Sequence, residues 1–127
     1  MTPAEAKQRL LFHSQPEEGA FLDMLRPYRG LRHDVLVDVL DALRASAPEI
    51  TGDALPRELV SALWAISHLG RSWALDPGGM LRRNNLISAA DQETLGVFLE
   101  RFDYAVESLL DGGAVDTAFS GLGRSYT

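Results

Sequence analysis

A chain of 127 residues without cysteine, carrying 18 acidic against 12 basic side chains for a net charge of −6, excludes disulfide frameworks, thiolate catalysis and cysteine-ligated zinc. Its hydrophobic fraction of 46% and charged fraction of 24% are ordinary globular values, and one domain of this length buries roughly two-thirds of the surface its unfolded chain exposes. The acidic balance repels phosphate backbones and anionic membrane surfaces at long range, so neither nucleic acid nor membrane is an expected partner, whereas a basic protein is compatible with it.

Lys7 is the sole lysine, so planar, bidentate arginines make up nearly the whole positive set. The apolar run Leu10 to Phe12 is too short for the core of a signal peptide. No stretch approaches the ~20 apolar residues of a membrane span, and a cytoplasmic location is the expectation.

Pro3 suits the first turn of a helix over residues 3–14, which Ser14 and Pro16 break. A second helical piece follows Ser14 or Gln15, with Glu17 and Glu18 in its first turn, Phe21, Leu22 and Leu25 on its apolar face, and Arg26-Pro27 at its end. Pro27 to Gly30 reads as a bend. Leu31 to Ala45 is a helix: Leu36, Leu40 and Leu43 fall at i, i+4 and i+7 beside Val35 and Val39. Asp34, Asp38 and Asp41 form a second stripe with the same spacing. Residues 46–56, with two prolines and a glycine, read as a connector.

A nearly uncharged helix is expected from Asp53 or Ala54 to Leu75, with Asp53 as its N-cap and Pro56 in its first turn. Leu59, Leu63, Ile66 and Trp73 share one side, Val60 and Trp64 widen it, and small residues fill most of the rest. Such a helix should be the buried spine of the fold, sealed inside its neighbours, with Trp64 in the core and Trp73 partly exposed at its end. Gly70 costs about 1 kcal/mol in helix propensity, which a close helix crossing would explain.

Asp76-Pro77-Gly78-Gly79 fits a type II turn with Gly78 at the position of positive φ. Arg82-Arg83-Asn84-Asn85 then form a polar knot on a loop between Met80-Leu81 and Leu86-Ile87. Ser88 caps the last long helix, with Asp91 at the capping-box position, and Leu95, Phe98, Leu99, Phe102, Val106 and Leu109 make its apolar stripe. Gly112-Gly113 stops that helix near Leu110. Residues 114–119 fit another turn or two, and the tail from about 120 to 127 should be mobile. No segment alternates as a strand does. The expected fold is a single all-α domain, a bundle of four to five main helices with short connections.

The candidate sites follow from this layout. Arg82, Arg83, Asn84 and Asn85 bring guanidinium forks and amides together and could clamp a carboxylate, a phosphate or an acidic peptide; otherwise they tie the loop to the fold. Trp73, beside that loop, is a candidate anchor for a partner. Glu93, Glu100, Asp103, Tyr104 and Glu107 line the outside of the last helix and could steer a basic partner.

Asp34, Asp38 and Asp41 share a face, but no Glu-x-x-His spacing accompanies them, so no metal site is expected. His68 lacks a sequence-evident nucleophile or orienting acid and reads as a core or subsurface histidine. No GxGxxG or GxxxxGK[ST] pattern occurs, and no cofactor is expected.

The function expected on this basis is a non-enzymatic interaction module that neutralises or adapts a basic protein partner, in the manner of immunity proteins and antitoxins. The alternative is a small helical ligand-binding protein or enzyme with an anion site at residues 82–85. A helix-turn-helix reading is disfavoured because the exposed helix faces carry acids.

Overall fold

The computed structural model describes residues 1–120; the expected mobility of the tail concerns residues that, from 121 on, lie outside the described residues. The described chain is all-α, with no strand, and is built on four longer helices and four short ones.

Helix α1 (Pro3–His13) opens with a reciprocal capping box: the Thr2 hydroxyl accepts from the Glu5 amide at 3.1 Å, and the Glu5 carboxylate accepts from the Thr2 amide at 3.3 Å. Helix α2 is only Phe21–Leu25. Glu17 and Glu18 precede it in a turn, not in its first turn as the sequence suggested. Gly19 takes a φ of +87° there, and that left-handed residue interrupts any helix begun earlier.

Helix α3 (His33–Ala45) buries Val35, Leu36, Val39, Leu40, Ala42 and Leu43, as its spacing requires. The expected connector contains α4 (Ala47–Ile50), whose Ala47 and Ile50 enter the core. Pro48 does not prevent this, because the first turn of a helix tolerates proline.

Helix α5 (Arg57–Gly70) starts later than expected. Pro56, not Asp53, is its N-cap, with extended backbone at φ −61° and ψ 126°. A proline disfavours the α region for the residue before it, so no helix can form through Leu55. Beyond Gly70 the helix widens into a π-helical turn, Arg71–Leu75, closed by the Asp76 amide donating to the Arg71 carbonyl at 2.8 Å.

The crossing expected at Gly70 is present. A Cβ there would sit 3.3 Å from Leu99 Cδ1 and 3.3 Å from carbons of the Phe21 ring.

The DPGG segment turns differently from the expected type II form. Gly78 does not take positive φ. Its amide donates to Asp76 Oδ1 at 2.8 Å, and the Gly79 amide donates to the Asp76 carbonyl at 2.8 Å. Gly79 is the residue with no room: a Cβ there would overlap the Ser72 carbonyl oxygen and lie 3.0 Å from the Asp76 oxygen. The turn is therefore pressed onto the backbone of the π-helical segment.

Short α6 (Met80–Arg83) follows, then α7 (Ala89–Leu110) and α8 (Val115–Ala118). Ser88 caps α7 as expected, accepting from the Asp91 amide at 3.1 Å. Gly112, at φ +80°, ends α7.

One cluster of buried side chains draws on α1 through α8, with Phe21, Phe98 and Phe102 as its largest fully buried members. Phe98 lies between the other two rings, 5.5 Å from Phe21 and 6.1 Å from Phe102. Around this core α1 packs on α3 and α5, and α5 packs on α7. Lys7 of α1 bridges to Glu58 of α5 at 3.3 Å. No helix among the described residues is long and apolar enough to cross a membrane.

Helix α5 is not sealed, which corrects the expectation of a buried spine. Leu59, Ala62, Leu63, Ile66 and Gly70 are buried, but Val60 is 40% exposed and Trp64 is 61% exposed. The core of the bundle lies against one side of α5, and its opposite side is open.

Candidate functional site

The open side of α5 and the neighbouring side of α7 enclose a groove of about 430 Å³. Its floor is Leu63 and Phe102, both buried. Val60 and Trp64, one turn apart on α5, form one wall; Val106 and Leu110, one turn apart on α7, form the other. Leu110 is 47% exposed, so the groove is bordered by apolar side chains in contact with solvent. His68 lies one turn beyond Trp64 with its ring stacked on the indole, 4.3 Å between centroids and 14° from parallel. His68 is exposed, contrary to the expectation of a core or subsurface position.

The polar lining divides into satisfied and unsatisfied groups. At one end the Ser67 hydroxyl donates to Asp103 Oδ1, and Arg71 closes on Asp103 Oδ2 through two nitrogens at 3.2 and 2.7 Å. This cluster ties α5 and the π-helical turn to α7, so the Asp103 carboxylate is engaged inside the protein. Further along α7, Glu107 and Asp111 line the same groove, are exposed, and form no ion pair among the described residues. They also border a second cleft of about 320 Å³ with Tyr104, Ser108 and the glycines at the end of α7. Of the expected acidic face, Glu107 and Tyr104 thus flank a concavity. Glu93 and Glu100 are exposed further up the helix, away from it.

The polar knot is folded into α6 and the turn after it, not displayed on a loop. Arg82 Nη1 donates to the Leu75 carbonyl at 2.9 Å, supplying a donor at the C-terminal end of the π-helical turn. Asn84 Nδ2 donates to the Met80 carbonyl at 2.9 Å, and Asn85 occupies the left-handed region at φ 55°. Arg83 is exposed and without a partner among the described residues. Residues 82–85 line none of the clefts described here.

Trp73 is half-buried against the core, with the Arg26 guanidinium 5.3 Å from its ring centre. Trp73 is thus partly exposed as expected, whereas Trp64, expected in the core, is the open one.

A buried histidine was not among the expected sites. His13 is fully buried (0% exposed). Its Nδ1 accepts from the Phe21 amide at 3.0 Å, so Nε2 carries the proton and donates it to Asp38 Oδ2 at 2.7 Å. Arg9 grips the same oxygen at 3.0 and 2.7 Å. Burial holds His13 below its usual imidazole value, and the neighbouring Asp38 offsets this only in part. Burial also works to raise Asp38, but hydrogen bonds from His13 and Arg9 and the Arg9 charge outweigh it and hold the carboxyl low.

Both ring nitrogens are taken, so His13 has no lone pair to offer a substrate; its bonds join α1, α2 and α3. The signal was present, since Ala6, Leu10 and His13 fall at i, i+4 and i+7 on the face that α1 buries. Asp34 pairs with Arg32 at 2.8 Å and Asp41 is exposed, so the aspartate row is divided among separate tasks.

A third cleft, about 260 Å³, is lined by Glu18, Asp23, Arg29 and Arg32 among others, two carboxylates against two guanidiniums. Tyr28 nearby donates to Asp91 at 2.5 Å, and burial followed by that carboxylate holds its proton firmly in place.

Comparison with known proteins finds no family model, no curated relative and no solved structure that matches this chain.

Proposed function

We propose that the protein is an interaction module that holds an apolar segment of a basic protein partner in the groove between α5 and α7. One observation carries this reading: Trp64 stands 61% exposed above an apolar floor whose rim bears Glu107 and Asp111, carboxylates with no ion pair among the described residues. A large aromatic in a concave apolar patch is the common anchor of a protein interface. Carboxylates with no internal partner are free to steer and align cations, and the net charge of −6 adds to that field.

An anion site at residues 82–85 has less support. Arg82 and Asn84 are spent on backbone carbonyls, which leaves Arg83 as the cation of the group without a partner among the described residues.

The test is affinity capture with four baits: the native protein, Trp64→Ala, Glu107→Lys/Asp111→Lys, and Arg82→Ala/Arg83→Ala. A basic protein held by the first and last baits and lost from the other two supports the groove. A protein lost only from the arginine variant would replace this reading with the loop.

A further inference from the structure

We infer that the element seated in the groove is a short cationic amphipathic α-helix, an inference that rests on the function just proposed. The first reason is the shape of the walls. Val60 and Trp64 along α5 and Val106 and Leu110 along α7 make two apolar ridges, each with its members one turn apart. A third helix presenting apolar side chains at i and i+4 would interleave with both ridges in the ordinary manner of helix packing.

The second reason is hydrogen bonding. Both walls are helices, so the groove offers no free sheet edge for an added strand. Its polar groups at one end, Ser67 and Asp103, are engaged with each other and with Arg71. An extended segment pressed into this trough would bury amides and carbonyls without partners. A helix satisfies its own backbone before it arrives.

Charge completes the match. Glu107 and Asp111 stand one turn apart on the α7 rim, about 6 Å along the axis. Lysine or arginine at i and i+4 on the incoming helix, next to its apolar face, meets both. The rim from Asp103 to Asp111 extends about 12 Å, or roughly two turns of the guest. A second copy of this chain fits less well, because it brings another net −6 to the contact.

The test uses synthetic probes and the full chain. One 16-residue amidated peptide of leucine, alanine and lysine places leucines on one helical face. A second carries two central prolines in place of alanines, and a third has glutamate for every lysine. Fluorescence anisotropy of labelled peptides gives affinity, circular dichroism of the mixtures gives helix content, and sedimentation equilibrium gives the oligomeric state of the protein. Leu110→Gln stands beside Trp64→Ala as a second groove variant, with the melt of each protein as its folding control.

The expected result is micromolar binding of the first peptide with a gain of helix. Binding should be at least tenfold weaker for the proline and glutamate peptides, and at least tenfold weaker to either groove variant. Equal binding of the proline peptide, still lost in Trp64→Ala, would overturn the helix while sparing the proposed groove. Binding that ignores Trp64 and Leu110, or no binding at all, would overturn both. A dimer of the native chain that Trp64→Ala converts to monomer would show the groove to be a self-interface and would also overturn both.

Discussion

His13 and Trp64 show two opposite fates for an aromatic ring on a helix: one sealed with both polar atoms used, the other left in water. The His13 arrangement has a pH consequence with a definite sign. Its folded value lies below the usual one, while in the unfolded chain a histidine titrates near ~6.5. Between the folded and unfolded values the unfolded chain binds more protons, so stability rises with pH through that window and is complete above about 6.5. Asp38, also held low in the fold, contributes stability that is lost only in more acidic solution, as pH falls through its folded value.

Urea midpoints should therefore be level from about pH 8 to 7 and decline as the solution is taken below about 6.5. His13→Asn should flatten that decline while costing about 1–3 kcal/mol at neutral pH, because Asp38 and the Phe21 amide lose their shared partner. An unchanged acid limb in the variant would assign it to another group. Trp64→Ala is the contrasting substitution. At an exposed position it should alter stability by no more than about 0.5 kcal/mol, checked by the same urea titration.

Among the elements, the π-helical turn and the segment folded onto it leave no room for a side chain at Gly79. Gly79→Ala must displace the Ser72 carbonyl or the whole DPGG turn, and a loss of about 1–3 kcal/mol is expected in thermal or urea unfolding. An unchanged melting temperature would mean that the turn relaxes freely. Ser88→Ala removes the cap of α7 and should cost about 1 kcal/mol. Hydrogen exchange should show the first turn of α7 opening more often, with its centre unaffected.

Periodicity located α3 and α7 because their apolar stripes are read without competition from neighbouring chemistry. It misplaced the start of α5, where the restriction that Pro56 imposes on Leu55 outweighs an attractive cap at Asp53. It missed α4, whose two buried side chains matter more than the proline between them.

For the molecule as a whole, the all-α architecture was legible and the groove only partly so. A low charge density suggested that α5 was buried all round, yet charge density does not say which sides have neighbours. Leu59, Ala62, Leu63, Ile66 and Gly70 already define one buried side. Trp64 falls with Arg57, Ser61 and His68 on the other, so the exposed tryptophan was written in the register. The π-helical turn and the Arg82 contact to Leu75 depend on backbone geometry that residue spacing does not carry.

At this scale the net charge makes a further prediction. Binding of the cationic peptide should weaken several-fold between 50 and 500 mM salt, since the rim carboxylates and the overall field are both screened. Salt-independent affinity would confine the interaction to apolar contact.

The bridge from Lys7 to Glu58 has a practical corollary. Glu58 lies about 200° around α5 from Val60, so the sole lysine ε-amine of this sequence belongs to the α1 side. Amine coupling to a sensor surface should tether the molecule by its back and leave the groove facing the flow. Lysine-directed cross-linkers, by the same geometry, would find no handle of this protein's own beside a bound guest.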